Sequence, residues 1–305
     1  MHRKACACKR LAPGRPCAYV AAMPELPEVE TVRRGLQPHL EGARLARVEA
    51  RRPDLRFPLP ARFAERLAGA RVERLERRAK YLLAALDTGE TWVTHLGMTG
   101  RFTVDDAQPG RFEHAAGGDP KHDHVELVTD RGVRIAFNDA RRFGYMDLLT
   151  TAGLPQHPWF KGLGPEPLGP DFSAAHLARA LAGRARNVKD TLLDQRIVAG
   201  LGNIYVCEAL HRARIAPETP AGQVGFPRLK KLVHEVRETL EEAVEAGGST
   251  LRDYRAADGA LGYFQHRFKV YGREGEPCAS PRCRGEVARL VQGGRSTFHC
   301  PRCQR

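Results

Sequence analysis

The sequence predicts an α+β protein with two domains and a short cysteine-bearing tail. Runs with alternating apolar residues dominate from about residue 44 to residue 149, whereas apolar residues at helical spacing dominate from residue 172 to residue 246. Gly and Pro cluster between these parts, at residues 153–170, which is typical of a linker. We therefore expect a β-sandwich or barrel, then a helical domain, then a β-hairpin.

The individual elements follow in chain order. A helix is predicted to begin almost at Met23, because glutamates precede apolar residues at helical spacing up to Leu40. Eight strand-like runs follow it: 44–50, 70–75, 80–86, 91–96, 100–104, 124–129, 133–138 and 144–149. Four helices are predicted beyond the linker: 172–182, 188–194, 203–212 and 228–246.

Charge and hydropathy narrow the class of partner. The 305 residues contain 49 Lys and Arg against 36 Asp and Glu, a formal net charge of +13, which favours a polyanionic partner such as nucleic acid. Since 42% of the residues are hydrophobic, the chain can bury a core. No apolar run approaches the 18 or so residues of a membrane span, so we expect no membrane partner.

Four of the eight cysteines lie in the last 28 residues. Cys278 and Cys283 are separated by four residues and Cys300 and Cys303 by two, a spacing that predicts one tetrahedral Zn²⁺ site of four thiolates. Such a site is closed and therefore structural, and it substitutes for a core that so short a tail lacks. Two disulfides or a redox pair are the alternatives.

Glycines precede the third predicted helix of the second domain in the sequence Gly200-Leu201-Gly202-Asn203. Free backbone N–H groups at a helix start attract anions, so a phosphate contact with Asn203 beside it is one interpretation. A plain interhelical turn is the other. A dinucleotide-binding fold is not indicated, because the third glycine of that fingerprint and a surrounding βαβ unit are missing.

Pro24 and Glu25 follow Met23 directly, and an initiator methionine is normally removed before proline. Removal would expose a secondary amine at the head of a helix, and an α-amino group has a reference pKa of about 8, well below that of lysine. Such an amine can attack an aldehyde-level sugar carbon, and Glu25 can move protons beside it. The plain alternative is that Pro-Glu only begins the helix.

Eight segments together resemble bacterial formamidopyrimidine-DNA glycosylase, and they occur in order from Met23 to Arg305. They are PELPEVETVRRGL (24–36), RRAKYLL (77–83), HLGMTG (95–100), KHDHVEL (121–127), NDARRFG (138–144), LGPEPL (163–168), GLGNIYVCEAL (200–210) and HCPRCQR (299–305). The resemblance implies an N-terminal β-sandwich with flanking helices, a helix-two-turns-helix domain and a zinc-bearing β-hairpin. It also implies that double-stranded DNA lies between the two domains.

The resemblance assigns the reacting groups. Pro24 would be the Schiff-base nucleophile and Glu25 the acid/base, while Lys80 and Arg295 would hold the phosphates around the damaged nucleotide. His95 and Asn203 would contact backbone phosphate. The implied reaction is excision of oxidised purines, namely 8-oxoguanine and formamidopyrimidines, followed by β- and δ-elimination.

The resemblance also assigns residues that replace and surround the flipped base. Met98 and Phe143 would fill the gap as apolar wedges, and Arg141 would read the orphaned cytosine. Lys189 and the loop 258–263 would border the lesion pocket. A core role for Met98 and Phe143 is the alternative.

Two rival functions remain open at this point. An endonuclease VIII-type glycosylase shares the chemistry but prefers oxidised pyrimidines. A catalytically inactive DNA-binding zinc protein would result if residues 1–22 were retained, because Pro24 would then have no free amine. We expect translation from Met23, a bacterial cytoplasmic monomer, and five segments: a removed extension 1–22, catalytic domain 23–153, linker 154–170, helix-two-turns-helix domain 171–262 and zinc hairpin 263–305.

Overall fold

The computed structural model describes residues 23–105, 119–249 and 263–305. The 1–22 extension, with Cys6, Cys8 and Cys17, lies outside these residues, as does most of the loop 258–263. Within them the α+β prediction is confirmed, since the first part consists of antiparallel strands and the second of helices followed by a hairpin.

The first domain is a sandwich of two four-stranded antiparallel sheets, ordered β1-β6-β7-β5 and β2-β3-β4-β8. Its strands are β1 (Leu45–Ala50), β2 (Val72–Arg78), β3 (Tyr81–Leu86), β4 (Glu90–His95), β5 (Arg101–Asp105), β6 (Asp123–Thr129), β7 (Arg134–Asn138) and β8 (Tyr145–Thr150). All eight predicted runs are therefore strands, with ends moved by up to three residues. A short helix, α2 (Phe63–Leu67), was not predicted from the sequence.

The leading helix, α1 (Leu26–Leu40), belongs to the sandwich core. Its residues Val29, Val32, Leu36 and Leu40 are buried in one cluster with strand residues of both sheets, as their helical spacing predicts. The backbone N–H of Leu26 donates to Gly200 O at 3.1 Å, so the start of α1 is attached to the second domain. The residues just before α1 consequently lie at the domain boundary.

The second domain contains the four predicted helices around their own apolar core. They are α3 (Ala174–Leu181), α4 (Val188–Leu192), α5 (Asn203–Ala213) and α6 (Phe226–Glu245). Gly247 and Gly248 follow α6 with positive φ angles of 74° and 77°, the left-handed conformation that ends helices.

The tail forms a two-stranded hairpin, β9 (Ala288–Gln292) and β10 (Arg295–His299), turning at Gly293 and Gly294. Its apolar contact with α5 is small: Cys207, Val270, Val287 and Phe298 form a separate cluster. The two domains thus have large cores, whereas the tail needs another source of stability, as its cysteine spacing predicts.

Candidate active site

A cleft of about 770 Å³ lies where the sandwich, the start of α5 and the hairpin meet. Reacting groups assigned from three distant segments line it together: Glu25, Lys80 and Arg295. Its other lining residues include Met23, Tyr81, His95, Met98, Trp159, Gly202, Asn203, Tyr271 and Ser296. The fold thus brings together side chains that are up to 270 residues apart in the chain.

The Glu25 carboxylate sits at the start of α5. Its Oε1 accepts from Ile204 N–H at 3.0 Å and its Oε2 from Tyr205 N–H at 3.5 Å, so it occupies the positive end of that helix. A Cβ at Gly202 would lie 2.2 Å from Glu25 Cδ, so only glycine permits this approach. The Ile204 and Tyr205 N–H groups are therefore taken by Glu25, and a phosphate contact at the glycine-rich turn stays a prediction.

Burial sets the protonation of Glu25. The side chain is 3% exposed, and burial raises the pKa to about 7, although Lys80 and the two N–H donors oppose that shift. Neighbouring Glu28 adds to the upward shift. At neutral pH Glu25 therefore exists in both protonation states, which is the condition for a group that both gives and takes protons.

Pro24 is buried immediately before Glu25, and Met23 reaches the cleft with 39% of its surface exposed. The proline nitrogen is therefore at the same site as the buried carboxylate. An amine released here would lie at the head of α1 and beside an acid/base, which is the arrangement the sequence predicts.

Lys80 is 8% exposed and lies in the turn before β3, so the expectation that it belongs to the strand is wrong by one residue. Burial lowers the pKa of its ammonium, Glu25 and Glu28 raise it, and Arg295 lowers it. The turn contains Ala79 with φ of +53°, and Ala79 N–H donates to Glu166 Oε1 at 2.6 Å. The linker residue Glu166 therefore fixes the turn that aims Lys80 into the cleft.

Asn203 and Arg295 join the hairpin to the cleft. Asn203 Nδ2 donates to Ser296 O at 2.9 Å, which links the first residue of α5 to the strand that Arg295 begins. Arg295 itself is exposed and faces the same cleft as Lys80. Asn203 therefore positions the hairpin here, and its phosphate contact stays a prediction.

His95 ends β4 and is stacked on Tyr145, with ring centroids 4.8 Å apart and planes 6° apart. Its Nδ1 accepts from Gly97 N–H at 3.0 Å. Burial, together with Lys80 and Arg56, lowers its pKa to about 3, so the ring is neutral. Because Nδ1 is the acceptor, Nε2 carries the proton and is the atom that can donate to a phosphate.

The two wedge residues and the cytosine-reading Arg141 lie on two adjoining loops. Met98, Arg141 and Phe143 line one depression with Met23, and the Arg141 guanidinium lies 4.6 Å from the centre of the Phe143 ring. Phe143 is 37% exposed, so a core role for it is wrong. The two loops pack backbone to backbone, since a Cβ at Gly97 would lie 2.2 Å from Phe143 C.

Lys189 is fully buried on α4 and lies below the cleft surface. Its Nζ is 3.7 Å from Asp190 Oδ1, and burial lowers the pKa of the ammonium. A Cβ at Gly293 would lie 3.1 Å from Asp190 Oδ1, so the hairpin turn covers this helix. Lys189 is not among the residues that line the described cleft, and its place at the border of the lesion pocket stays a prediction.

The four tail cysteines form one cluster whose sulfur atoms all lie within 4.8 Å of one another. The Sγ–Sγ distances of 3.8 Å for Cys278–Cys303 and 3.7 Å for Cys283–Cys300 match the roughly 3.8 Å edge of a tetrahedron with Zn–S bonds of about 2.3 Å. A Cβ at Gly285 would lie 2.8 Å from Cys300 Sγ, so glycine leaves room for the cluster. These residues fit a structural zinc.

Several residues that organise the site were not predicted from the sequence. Glu28 Oε1 accepts from Tyr205 Oη at 2.6 Å and Ser249 N at 2.8 Å, which holds α1 against the second domain. Asp139 is fully buried and accepts from Thr99 Oγ1 and Gly144 N, which holds the two wedge loops together. The sequence did contain a signal for them. Each is an acidic residue inside one of the eight segments, and the spacing of the apolar residues does not account for it.

A β-sandwich, a helical domain and a four-cysteine hairpin enclose a cleft lined by Lys80 and Arg295, an arrangement that suits a protein acting on a phosphate backbone. Three family models match in that order: Formamidopyrimidine-DNA glycosylase N-terminal domain at residues 23–146, Formamidopyrimidine-DNA glycosylase H2TH domain at 163–255, and Zinc finger found in FPG and IleRS at 275–305.

Curated relatives agree with the family models. A formamidopyrimidine-DNA glycosylase of Phenylobacterium zucineum is 63% identical over 287 residues, covering 93% of this chain and all of the relative. One from Caulobacter vibrioides is 59% identical over 286 residues, covering 92% and 100%. The chain belongs to the formamidopyrimidine-DNA glycosylase family, as its eight segments predict.

Solved structures show the same architecture. The crystal structure of the MutM (Fpg) protein from Thermus thermophilus has a TM-score of 0.79 and 43% identity, covering 92% of this chain and 98% of that one. The complex between Lactococcus lactis Fpg and abasic-site DNA has a TM-score of 0.80 and 32% identity, covering 92% and 99%. In the described part of the chain, none of the helices has the length and apolar character needed to cross a membrane.

Proposed function

We propose that this chain is a bifunctional DNA glycosylase and abasic-site lyase of base excision repair that removes oxidised purines. The observation that supports this most strongly is the buried Glu25 carboxylate, with its pKa raised to about 7, directly beside Pro24 and in one cleft with Lys80 and Arg295. Carboxyl groups with a pKa shifted towards the working pH are concentrated at sites that transfer protons. Two cations in the same cleft suit the phosphates on either side of a damaged nucleotide.

The reaction begins with the secondary amine of Pro24. Its lone pair attacks C1′ of the damaged nucleotide and the bond from C1′ to the base breaks, so the base leaves with the bonding electrons and takes up a proton. Glu25 protonates the sugar ring oxygen O4′, the ring opens, and a cationic iminium links Pro24 to C1′. Successive β- and δ-elimination then release the 3′ and 5′ phosphates, and water hydrolyses the iminium.

This chemistry requires a free Pro24 amine. While Met23 is attached, the proline nitrogen is part of an amide and has no lone pair available for attack. We therefore include in the proposal that the working enzyme begins at Pro24, after translation from Met23 and removal of that methionine. The start of the first family match at residue 23 supports this boundary.

The partner in this proposal is a DNA duplex that contains an oxidised purine opposite cytosine. The wedge residues Met98 and Phe143 enter the base stack, and Arg141 donates to the orphaned cytosine. We propose that one zinc ion holds the hairpin and that the enzyme works as a monomer in the bacterial cytoplasm at the nucleoid. Without the extension 1–22, its parts in this proposal are the catalytic domain 23–153, the linker 154–170, the helix-two-turns-helix domain 171–262 and the zinc hairpin 263–305.

The test compares two forms of the protein on two lesions. Protein starting at Pro24 should excise 8-oxoguanine from a duplex and leave phosphates at both ends of the gap, whereas the 305-residue form should bind the duplex without cutting it. Faster cutting of a duplex with 5-hydroxycytosine would indicate the endonuclease VIII-type specificity instead. Binding without cutting by both forms would contradict the enzymatic proposal.

A further inference from the structure

A histidine from the helical domain contacts the cysteine cluster. His211 lies in the last turn of α5 and is 3% exposed. Its Nε2 lies 3.4 Å from Cys278 Sγ and 3.2 Å from Ser280 Oγ. The imidazole therefore faces the metal site from α5, outside the hairpin that supplies the four sulfur ligands.

Ser280 belongs to the four-residue spacer between Cys278 and Cys283. Its backbone N–H points to Cys278 Sγ at 3.5 Å, and its Oγ lies 3.8 Å from Cys303 Sγ. A two-residue spacer, such as that between Cys300 and Cys303, leaves less chain to reach outward in this way. The longer spacer thus brings the Ser280 hydroxyl to the sulfur atoms, beside an amide contact of the kind that Gly285 N–H also makes with Cys283 Sγ at 3.4 Å.

The chemistry of the ligands fixes where the protons lie. A zinc-bound cysteine is a thiolate, which only accepts hydrogen bonds. The His211 Nε2–H then donates towards Cys278 Sγ and Ser280 Oγ, and the Ser280 hydroxyl donates to Cys303 Sγ. His211 Nδ1 is buried without a hydrogen-bond partner among the described residues, so Nε2 makes the polar contacts of this ring.

We propose that His211 and Ser280 form an outer hydrogen-bond shell of the zinc site. They are positioning residues: they orient the thiolates of Cys278 and Cys303, offset part of their negative charge and so raise the affinity for zinc. The shell also fastens the hairpin to the last turn of α5, while Asn203 at the first turn fastens it through Ser296 O. One helix therefore holds the zinc hairpin at both of its ends.

The test measures zinc affinity of the full chain by competition with a chromophoric chelator, without reference to DNA cleavage. Variants H211F and S280A should each bind zinc about 10–100-fold more weakly than the parent. H211Q should recover most of the affinity, because its side-chain amide can place a donor near the position of Nε2. The matched control is H176F. His176 lies on α3, away from the cysteines, and its Nε2 is hydrogen-bonded to Ile197 O at 2.8 Å. The zinc affinity of H176F should equal that of the parent.

A second measurement separates this role from a general effect on folding. In the zinc-loaded chain, N-ethylmaleimide should alkylate the cysteines faster in H211F and S280A than in the parent or H176F, because the thiolates lose their donors. Unchanged zinc affinity in S280A and in folded H211F would overturn the proposal. If H211F does not fold, unchanged zinc affinity in S280A alone overturns the proposal. A loss of zinc affinity in H176F equal to that in H211F or S280A would overturn it as well.

Discussion

The cleft and the depression beside it place side chains in opposite surroundings. Around Glu25 and Lys80, ionisable groups are buried, and their pKa values move towards neutrality. In the depression, Phe143 is exposed and Met98 is half-buried, on loops whose backbones are tightly packed. Both arrangements are unfavourable in the isolated protein. A buried charge loses its hydration, and an exposed apolar ring forgoes the free energy that burial would provide.

The comparison shows how each region prepares for DNA. The buried region is fixed by hydrogen bonds that exist before DNA arrives, such as those from the start of α5 to Glu25. The exposed region is fixed at its base, where Asp139 accepts from Gly144 N at 2.7 Å, whereas the Phe143 ring contacts the Arg141 guanidinium and remains 37% exposed. A base stack would bury this ring. Substitutions in the first region should therefore affect chemistry, and those in the second should affect binding.

The largest expected effect is at the buried carboxyl. Glu25→Gln keeps the shape and an acceptor for Ile204 N–H but cannot transfer protons, so excision of 8-oxoguanine should slow by about 10²–10⁴-fold. Duplex affinity, measured by fluorescence anisotropy, should change less than threefold. Glu49→Gln, at an exposed strand residue, is the control and should cut at the parent rate. Equal rates for Glu25→Gln and the parent would remove Glu25 from the mechanism.

Phe137 and Phe143 test whether the exposed region serves binding rather than stability, because the first ring is buried and the second is exposed. Phe137 is buried beneath both loops, and a Cβ at Gly100 or Gly144 would lie 2.7 Å or 2.8 Å from its ring. Phe137→Ala should lower the free energy of unfolding by about 3–5 kcal/mol. Phe143→Ala should change it by less than about 0.5 kcal/mol while weakening binding to an abasic-analogue duplex. Urea denaturation and anisotropy provide the two values, and a large stability loss in Phe143→Ala would place that ring in the core.

A smaller effect is expected on the salt dependence of DNA binding when Lys80, which is predicted to contact phosphate, loses its charge. Lys80→Gln should reduce the slope of log affinity against log salt concentration by about one, the contribution of one phosphate contact. Lys161→Gln, outside the cleft lining, should leave the slope unchanged. An unaltered slope in Lys80→Gln would mean that this ammonium serves the reaction without binding phosphate.

The smallest effect is a dependence of stability on pH. Because the pKa of Glu25 rises from 4.5 to about 7 on folding, the folded state binds more protons than the unfolded state between these values. Its contribution to stability is therefore present below pH 4.5 and is lost as pH rises through 7. Thermal unfolding followed from pH 4.5 to pH 8 should show a shallower decline in Glu25→Gln than in the parent, and identical profiles would contradict the shifted pKa.

Local patterns predicted most of the fold and part of the site. The alternation of the strands, the helical spacing after residue 171 and the cysteine spacing each depend on neighbours in the chain, so they could be recognised without the structure. The contact of Glu25 with the start of α5 joins residues about 180 positions apart, and no local pattern encodes it. For the same reason the sequence does not predict that Gly202 leaves space for the Glu25 carboxylate.

Lys189 and α2 show two further limits of sequence-based prediction. The resemblance assigns Lys189 to the pocket border, but its burial cannot be read from the sequence, because it depends on the hairpin turn that packs on this short helix. The five residues of α2 are too few to establish a helical period, so their helix depends on tertiary packing of Phe63 and Leu67.

The central claim is that the Pro24 amine forms the covalent bond to the sugar. Borohydride reduction during reaction of the Pro24-initiated protein with an 8-oxoguanine duplex should trap an adduct, and peptide mapping by mass spectrometry should locate the sugar on the nitrogen of Pro24. A sugar located on Lys80, or equal trapping by the 305-residue form, would contradict the claim.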